Sequence, residues 1–93
     1  MPGYERAEVT AELKVITSNQ AERPPQEQIQ AAKKAAGESS LAREAGPETT
    51  MLAGGRSEVL EMAVKIIEAS LDAGAHAVEV KVEAEADAPR FDG

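Results

Sequence analysis

The sequence predicts an α+β domain whose elements run β-α-β-β-α-β. Three patterns carry that prediction: apolar and polar residues alternate over 8–17, they alternate again over 77–84, and apolar residues recur at three-four spacing between 57 and 72. Alternation sends successive side chains to opposite faces of a strand, whereas three-four spacing gathers them on one stripe of a helix.

In the first strand Val9, Ala11, Leu13 and Val15 alternate with Thr10, Glu12, Lys14 and Ile16. A polar loop over 18–23 leads to Pro24-Pro25, which blocks helix upstream and suits a helix's first turn. Good helix formers fill Pro25 to Ala36, with Ile29, Ala32 and Ala36 on one stripe, and Gly37 is placed to end the helix in the left-handed conformation. A helix this short, with so small an apolar face, must be held by packing on a sheet. Residues 39–46 are read as an edge strand, Gly46-Pro47 as a turn, and Thr49 to Ala53 as the returning strand of a hairpin. Gly54-Gly55 precede the second helix, where Ser57 can cap the first turn, Glu58 and Glu61 suit its positive end, and Gly74 stops it. Val59, Met62, Ala63, Ile66, Ile67, Ser70 and Leu71 form its buried face, opposite Lys65, Glu68 and Asp72. In the last strand Val78, Val80 and Val82 share one face, with Glu79, Lys81 and Glu83 on the other.

Two strand-helix-strand crossovers joined by a hairpin, with right-handed connections, give a ferredoxin-like sandwich: a four-stranded antiparallel sheet with both helices on one face. The first and last strands then lie side by side, and Val9, Leu13, Val15, Val78, Val80 and Val82 are expected to form a hydrophobic floor beneath the second helix. The opposite face presents Thr10, Glu12, Lys14, Ile16, Glu79, Lys81 and Glu83, a mixture of charges able to pair across strands. The chain, 1–93, is read as a single domain with an ordered core over about 8–86 and a polar tail, 87–93, that is mobile or clips onto a neighbouring subunit.

Composition narrows the function. Much of the 42% hydrophobic content is alanine, Tyr4 and Phe91 are the aromatic residues, and tryptophan is absent, so the core is thin and a partner subunit would supplement it. A homo-oligomer, dimer or tetramer, is therefore expected. Cysteine is absent, which removes disulfides, thiolate nucleophiles and sulfur-ligated metals together and suits a reducing compartment. The first residues lack the pattern of a signal peptide and no apolar run is long enough for a membrane span, so the expected location is the cytoplasm, without a membrane partner. A net charge of -7 opposes binding to nucleic acid, and the adjacent Lys33 and Lys34 read as a solvated face of an alanine-rich helix.

Candidate chemistry is sparse. His76 is the sole histidine, so no histidine-based metal site is assigned and a surface position is expected. Carboxylates abound, but acid-base catalysis needs two of them in one pocket with separated pKa values, and these fall on exposed faces. Gly54-Gly55 could present free N–H groups to an anion, yet no phosphate-loop fingerprint or lysine follows. Ser39, Ser40 and Ser57 lack partners for a nucleophilic triad. The expectation is a protein without catalytic activity, cofactor or metal.

From Leu41 onward the chain resembles the small thiamine-binding (YkoF-type) family. Gly46, Pro47, Thr50 and Gly54 match that family's segment of Gly, Pro, two variable residues, Thr, two apolar residues, Glu and Gly. The helix opening Ser57-Glu58-Val59-Leu60-Glu61 and the exit Asp72-Ala73-Gly74-Ala75 before a valine-rich strand are similar as well. Ala53 replaces a usual Glu, Ala77 stands where an Arg commonly follows, and Ile16-Thr17-Ser18-Asn19 replaces a Pro-Leu-Gly turn. The resemblance implies a ferredoxin-like fold and a role in holding thiamine or its hydroxymethylpyrimidine precursor. It also implies a ligand-binding role for Thr50, through a hydroxyl that can hydrogen-bond a pyrimidine nitrogen or amine, with Thr49 and Glu12 as weaker candidates. An oligomeric structural or regulatory module that has kept the fold and lost the ligand is the alternative, because two polar groups of the pattern are missing.

Overall fold

A computed structural model of the chain describes residues 8–84. The expected ordering of 85 and 86, the tail over 87–93, and the rings of Tyr4 and Phe91 lie outside that range. The elements are β1 (Val9–Ile16), α1 (Pro25–Ala36), β2 (Ala42–Arg43), β3 (Thr49–Gly54), α2 (Arg56–Asp72) and β4 (Ala77–Ala84). They form a four-stranded antiparallel sheet in the order β2-β3-β1-β4. Both helices lie on one face, as in the ferredoxin-like arrangement; α1 packs on β3 and β1, and α2 packs on β1, β3 and β4.

The register follows from the pattern of β1. Leu13 sits opposite Thr50 of β3 and Val80 of β4, and Val15 sits opposite Val78. Directly paired residues point to the same face, so the helix side carries Val9, Ala11, Leu13 and Val15 together with Thr50, Leu52, Val78, Val80 and Val82. The core assembles from the first four of these with Leu52, Ala32, Ala36, Val59, Met62, Ala63 and Ile66, all buried. Alanine on α1 lets that helix approach its neighbours closely, and the largest fully buried apolar side chains are Leu13, Leu52, Ile66 and Val59.

Several expectations are corrected. Val80 and Val82 do not join a buried floor: they are 42% and 43% exposed, and Val78 is half-buried. Their face is the expected one, but β4 is an edge strand and α2 rests mainly over β1, so no element covers the outer side of that valine row among the described residues. The expected strand over 39–46 shrinks to Ala42–Arg43, because Ser39 to Leu41 turn at the end of α1 and pairing with β3 extends over two residues only. Gly37 closes α1 in a right-handed conformation with φ -70°, its N–H donated to the Lys33 carbonyl. The left-handed glycine is Gly74, at φ 103°, after α2.

Two further corrections come from contacts distant in sequence. Ser57 does not cap α2; Gly55 holds the cap position without a side-chain bond, and the Arg56 N–H donates to Glu8 Oε1 at 3.0 Å. On α1 Gln28 is buried together with the expected Ala32 and Ala36, whereas Ile29 is half-buried. Gln28 Oε1 accepts from the Ser18 N–H at 2.8 Å, and its Nε2 donates to the Ser18 carbonyl at 3.0 Å and the Arg23 carbonyl at 2.9 Å. This amide stitches the loop after β1 to α1, and its bonds are what allow a polar group into the interior. Lys33, expected as a solvated partner of Lys34, instead donates from Nζ to the Gly46 carbonyl at 3.1 Å and to the Thr49 carbonyl, tying α1 to the turn before β3.

Candidate functional site

Thr50 stands on β3, a central strand, with its side chain on the helix face because its partner across the ladder is Leu13. It is 3% exposed, and its Oγ1 has no hydrogen-bond partner, the one such buried side-chain atom among the described residues. Leaving a buried hydroxyl unpaired forfeits its hydration without return, at about 1 to 3 kcal/mol. Such an atom calls for a physical reason, and a ligand group able to bond it is one.

Glu12 and Thr49 occupy the other face. Glu12 pairs with Met51 and Thr49 with Lys14, so Glu12 and Thr49 are diagonal neighbours on the open side of the sheet, Glu12 exposed and Thr49 half-buried. The three sequence-predicted residues therefore do not converge: the sheet itself separates Thr50 from the other two. Parity along the strand carries that signal, since Thr49 and Thr50 are adjacent and must point oppositely.

The open face has its own electrostatic pattern. Glu12 lies opposite Lys81 and Lys14 opposite Glu79, so residues of opposite charge face each other in the register of the β1–β4 pair. Lys81 Nζ also sits 3.6 Å from Glu83 Oε2, with both side chains well exposed, so this pair contributes little to stability. A shallow cleft of about 320 Å³ is bounded by Glu12, Lys14, Glu79, Val80 and Lys81. Its charges are largely compensated, which suits neutral or zwitterionic groups better than a bare cation.

A second cleft, of about 340 Å³, lies where the turn after α1 meets the first half of α2. Ser39, Ser40 and Leu41 form one wall, and Glu58, Glu61, Met62 and Lys65 the other. Two carboxylates, an ammonium and two serine hydroxyls accompany two apolar side chains there. The sequence contains these residues in plain view, but as parts of a strand and of a helix; the turn at Ser39 to Leu41 is what brings them together on α2. Thr50 lines neither cleft.

His76 is exposed, and no group of three or more His, Cys, Asp or Glu side chains among the described residues is placed to hold a metal ion. No helix among them is long and apolar enough to cross a membrane.

The fold has a solved counterpart. A domain of unknown function, DUF77, from Bacillus cereus superposes with a TM-score of 0.71 at 20% sequence identity, covering 92% of this chain and 84% of that one. At this identity the likeness is one of fold. No protein-family model matches the chain, and no curated protein matches it either.

Proposed function

We propose that the chain is a non-catalytic binding protein for a small heterocycle of the thiamine or hydroxymethylpyrimidine type, with the Thr50 hydroxyl as its polar determinant. The observation that carries this reading is the buried, unpartnered Oγ1 of Thr50, at the position that the Gly46-Pro47 segment matches to a threonine of the thiamine-binding pattern. A pyrimidine ring nitrogen or amine would complete the bond that the hydroxyl lacks. Because Thr50 is buried and lines neither cleft, a ligand reaches its hydroxyl only in molecules whose packing around β3 has opened. That opening reduces apparent affinity by the fraction of molecules in the open state. Modest affinity is expected.

Calorimetric titration with thiamine and with hydroxymethylpyrimidine tests the reading. Saturable heat that disappears in Thr50→Val and survives in Thr50→Ser supports it. Heat lost in Glu12→Gln but kept in Thr50→Val would move the ligand to the open face, and no heat up to millimolar ligand would leave the second reading, an oligomeric module without ligand. Ala53 and Ala77 favour that second reading, since each stands where the resemblance expects a polar side chain.

A further inference from the structure

The apolar surface that the fold leaves uncovered is continuous in character across two elements. On β4 it is the helix-side row of Val80 and Val82. On α2, Leu60, Val64 and, contrary to its expected place on the buried face, Leu71 are 43%, 52% and 49% exposed. These residues, with the half-buried Ile67, recur at four-three-four spacing and so share one flank of the helix. The opposite flank, bearing Glu58, Glu61 and Lys65, borders the Ser39–Leu41 turn on the side of α1. The apolar flank therefore faces away from α1, over β4, and it adjoins the strand edge whose outward N–H and C=O groups no described strand pairs.

The geometry points to a second copy of this chain as the occupant, with β4 paired antiparallel to its own copy about a two-fold axis through Val80, perpendicular to the sheet. Such an axis keeps the two sheets coplanar in face, so both helix layers lie on the same side and only registers that centre on a residue are allowed. Centring on Glu79 or Lys81 would set like charge against like. Centring on Val80 puts Glu79 against the second copy's Lys81 and Lys81 against its Glu79, and Val78 against its Val82. On the open face Glu79 and Lys81 then complement each other and Glu83 falls opposite Ala77, so no like charges are opposed, and all valines meet on the helix face. Centring on Val82 would pair Lys81 with Glu83 but would leave Ala77 to Glu79 without partners among the described residues, so the Val80 register uses more of the strand.

Spacing supports the same arrangement. Strands lie about 4.8 Å apart, so with α2 resting mainly over β1 a sheet that continues through β4 sets the two α2 helices about 14 Å apart, three strand spacings, on the same side of the joined sheet. The flanks of Leu60, Val64 and Leu71 would then face each other across the joined valine rows, over a gap, wider than the about 10 Å of direct helix packing, that these side chains and the valines below them would fill. One contact of this kind pairs an edge strand and buries the exposed apolar flank together, both of which are otherwise open to unspecific association.

Sedimentation at micromolar concentration is the test, on the full chain. The expected result is the mass of two chains. Lys81→Glu sets a carboxylate against Glu79 at both symmetry-related pairs and should weaken association about tenfold. Glu79→Lys with Lys81→Glu should restore it, and Val64→Asp, at a half-exposed site harmless to the single chain, should weaken it at least as much as Lys81→Glu. Unfolding curves read separately any cost inside the chain from Glu12 and Lys14, which neighbour the exchanged charges. A single-chain mass, whether because residues beyond 84 cover the edge or because nothing does, would overturn the proposal. So would a two-chain mass indifferent to both Lys81→Glu and Val64→Asp. Restoration by Glu83→Lys in place of Glu79→Lys would overturn the Val80 register.

Discussion

Replacing Thr50 by valine exchanges one oxygen for one methyl group in a side chain of nearly the same shape. In most buried settings that exchange is costly, because the threonine hydroxyl has a partner that the valine strands. Here Oγ1 has no partner and the residue is 3% exposed, so the wild-type hydroxyl carries a desolvation cost that valine removes. An unpaired buried polar group costs about 1 to 3 kcal/mol, and valine also suits a central strand, which together predict a gain of about 1 to 2 kcal/mol. For a domain of this size each kcal/mol moves Tm by about 4 to 8 °C. Thermal unfolding followed by circular dichroism, with urea titration to confirm an unchanged m-value, reads this directly. Thr50→Ser is the control: it keeps the hydroxyl, loses a methyl beside Leu13, and should lower Tm. A drop in Tm for Thr50→Val would refute the reasoning, since it would mean that the hydroxyl is bonded in solution. A stabilised variant that no longer takes up ligand would separate folding from binding in one substitution.

Other substitutions probe the contacts that the sequence hides. Gln28→Ala leaves the Ser18 N–H and the Ser18 and Arg23 carbonyls without their partner, and is expected to cost about 2 to 3 kcal/mol in urea unfolding. Hydrogen exchange should localise the effect, and unchanged protection of the Ser18 amide would contradict it. Gly74→Ala forces a side chain into φ 103° with its Cβ 2.6 Å from the Ala21 methyl, so a loss of about 2 kcal/mol or more is expected in the same assay. A neutral result there would mean that the turn after α2 is free to relax. Lys33→Met keeps the aliphatic stem but releases the Gly46 and Thr49 carbonyls, and should cost about 1 kcal/mol, whereas Lys34→Met, at an exposed site, should be silent. Equal effects of the two would remove the tether from the account.

Most of the fold is legible in local pattern. Alternation over β1 and β4 assigns each residue to a face, and the ladder keeps that assignment: Leu13, Thr50 and Val80 share one side, Glu12, Met51 and Lys81 the other. The bounds of α1 follow from Pro25 and its run of helix formers, and those of α2 from the glycines on either side. The short β2 is hard to read because a two-residue strand has no period to detect. Gln28 yields to Ile29 in a hydropathy pattern because an amide ranks as exposed, and its bonds reach a loop ten residues away. Greater distance still hides the contact at the start of α2, which comes from Glu8 rather than from Ser57.

The candidate site divides along similar lines. Thr50 can be singled out from the pattern around Gly46 and Pro47, but that its hydroxyl is buried without a partner depends on what Leu13 and the helices place around it. That Glu12 and Thr49 lie on the far side of the sheet is implicit in parity along the strands. Residue types and their periods determine which elements form and which way each side chain points, because both are set by backbone geometry within a few residues. Whether a face so defined is covered is decided by the width of the sheet against the span of two helices. That is why the same row of valines, unambiguous in sequence, is half-buried at Val78 and open at Val80 and Val82.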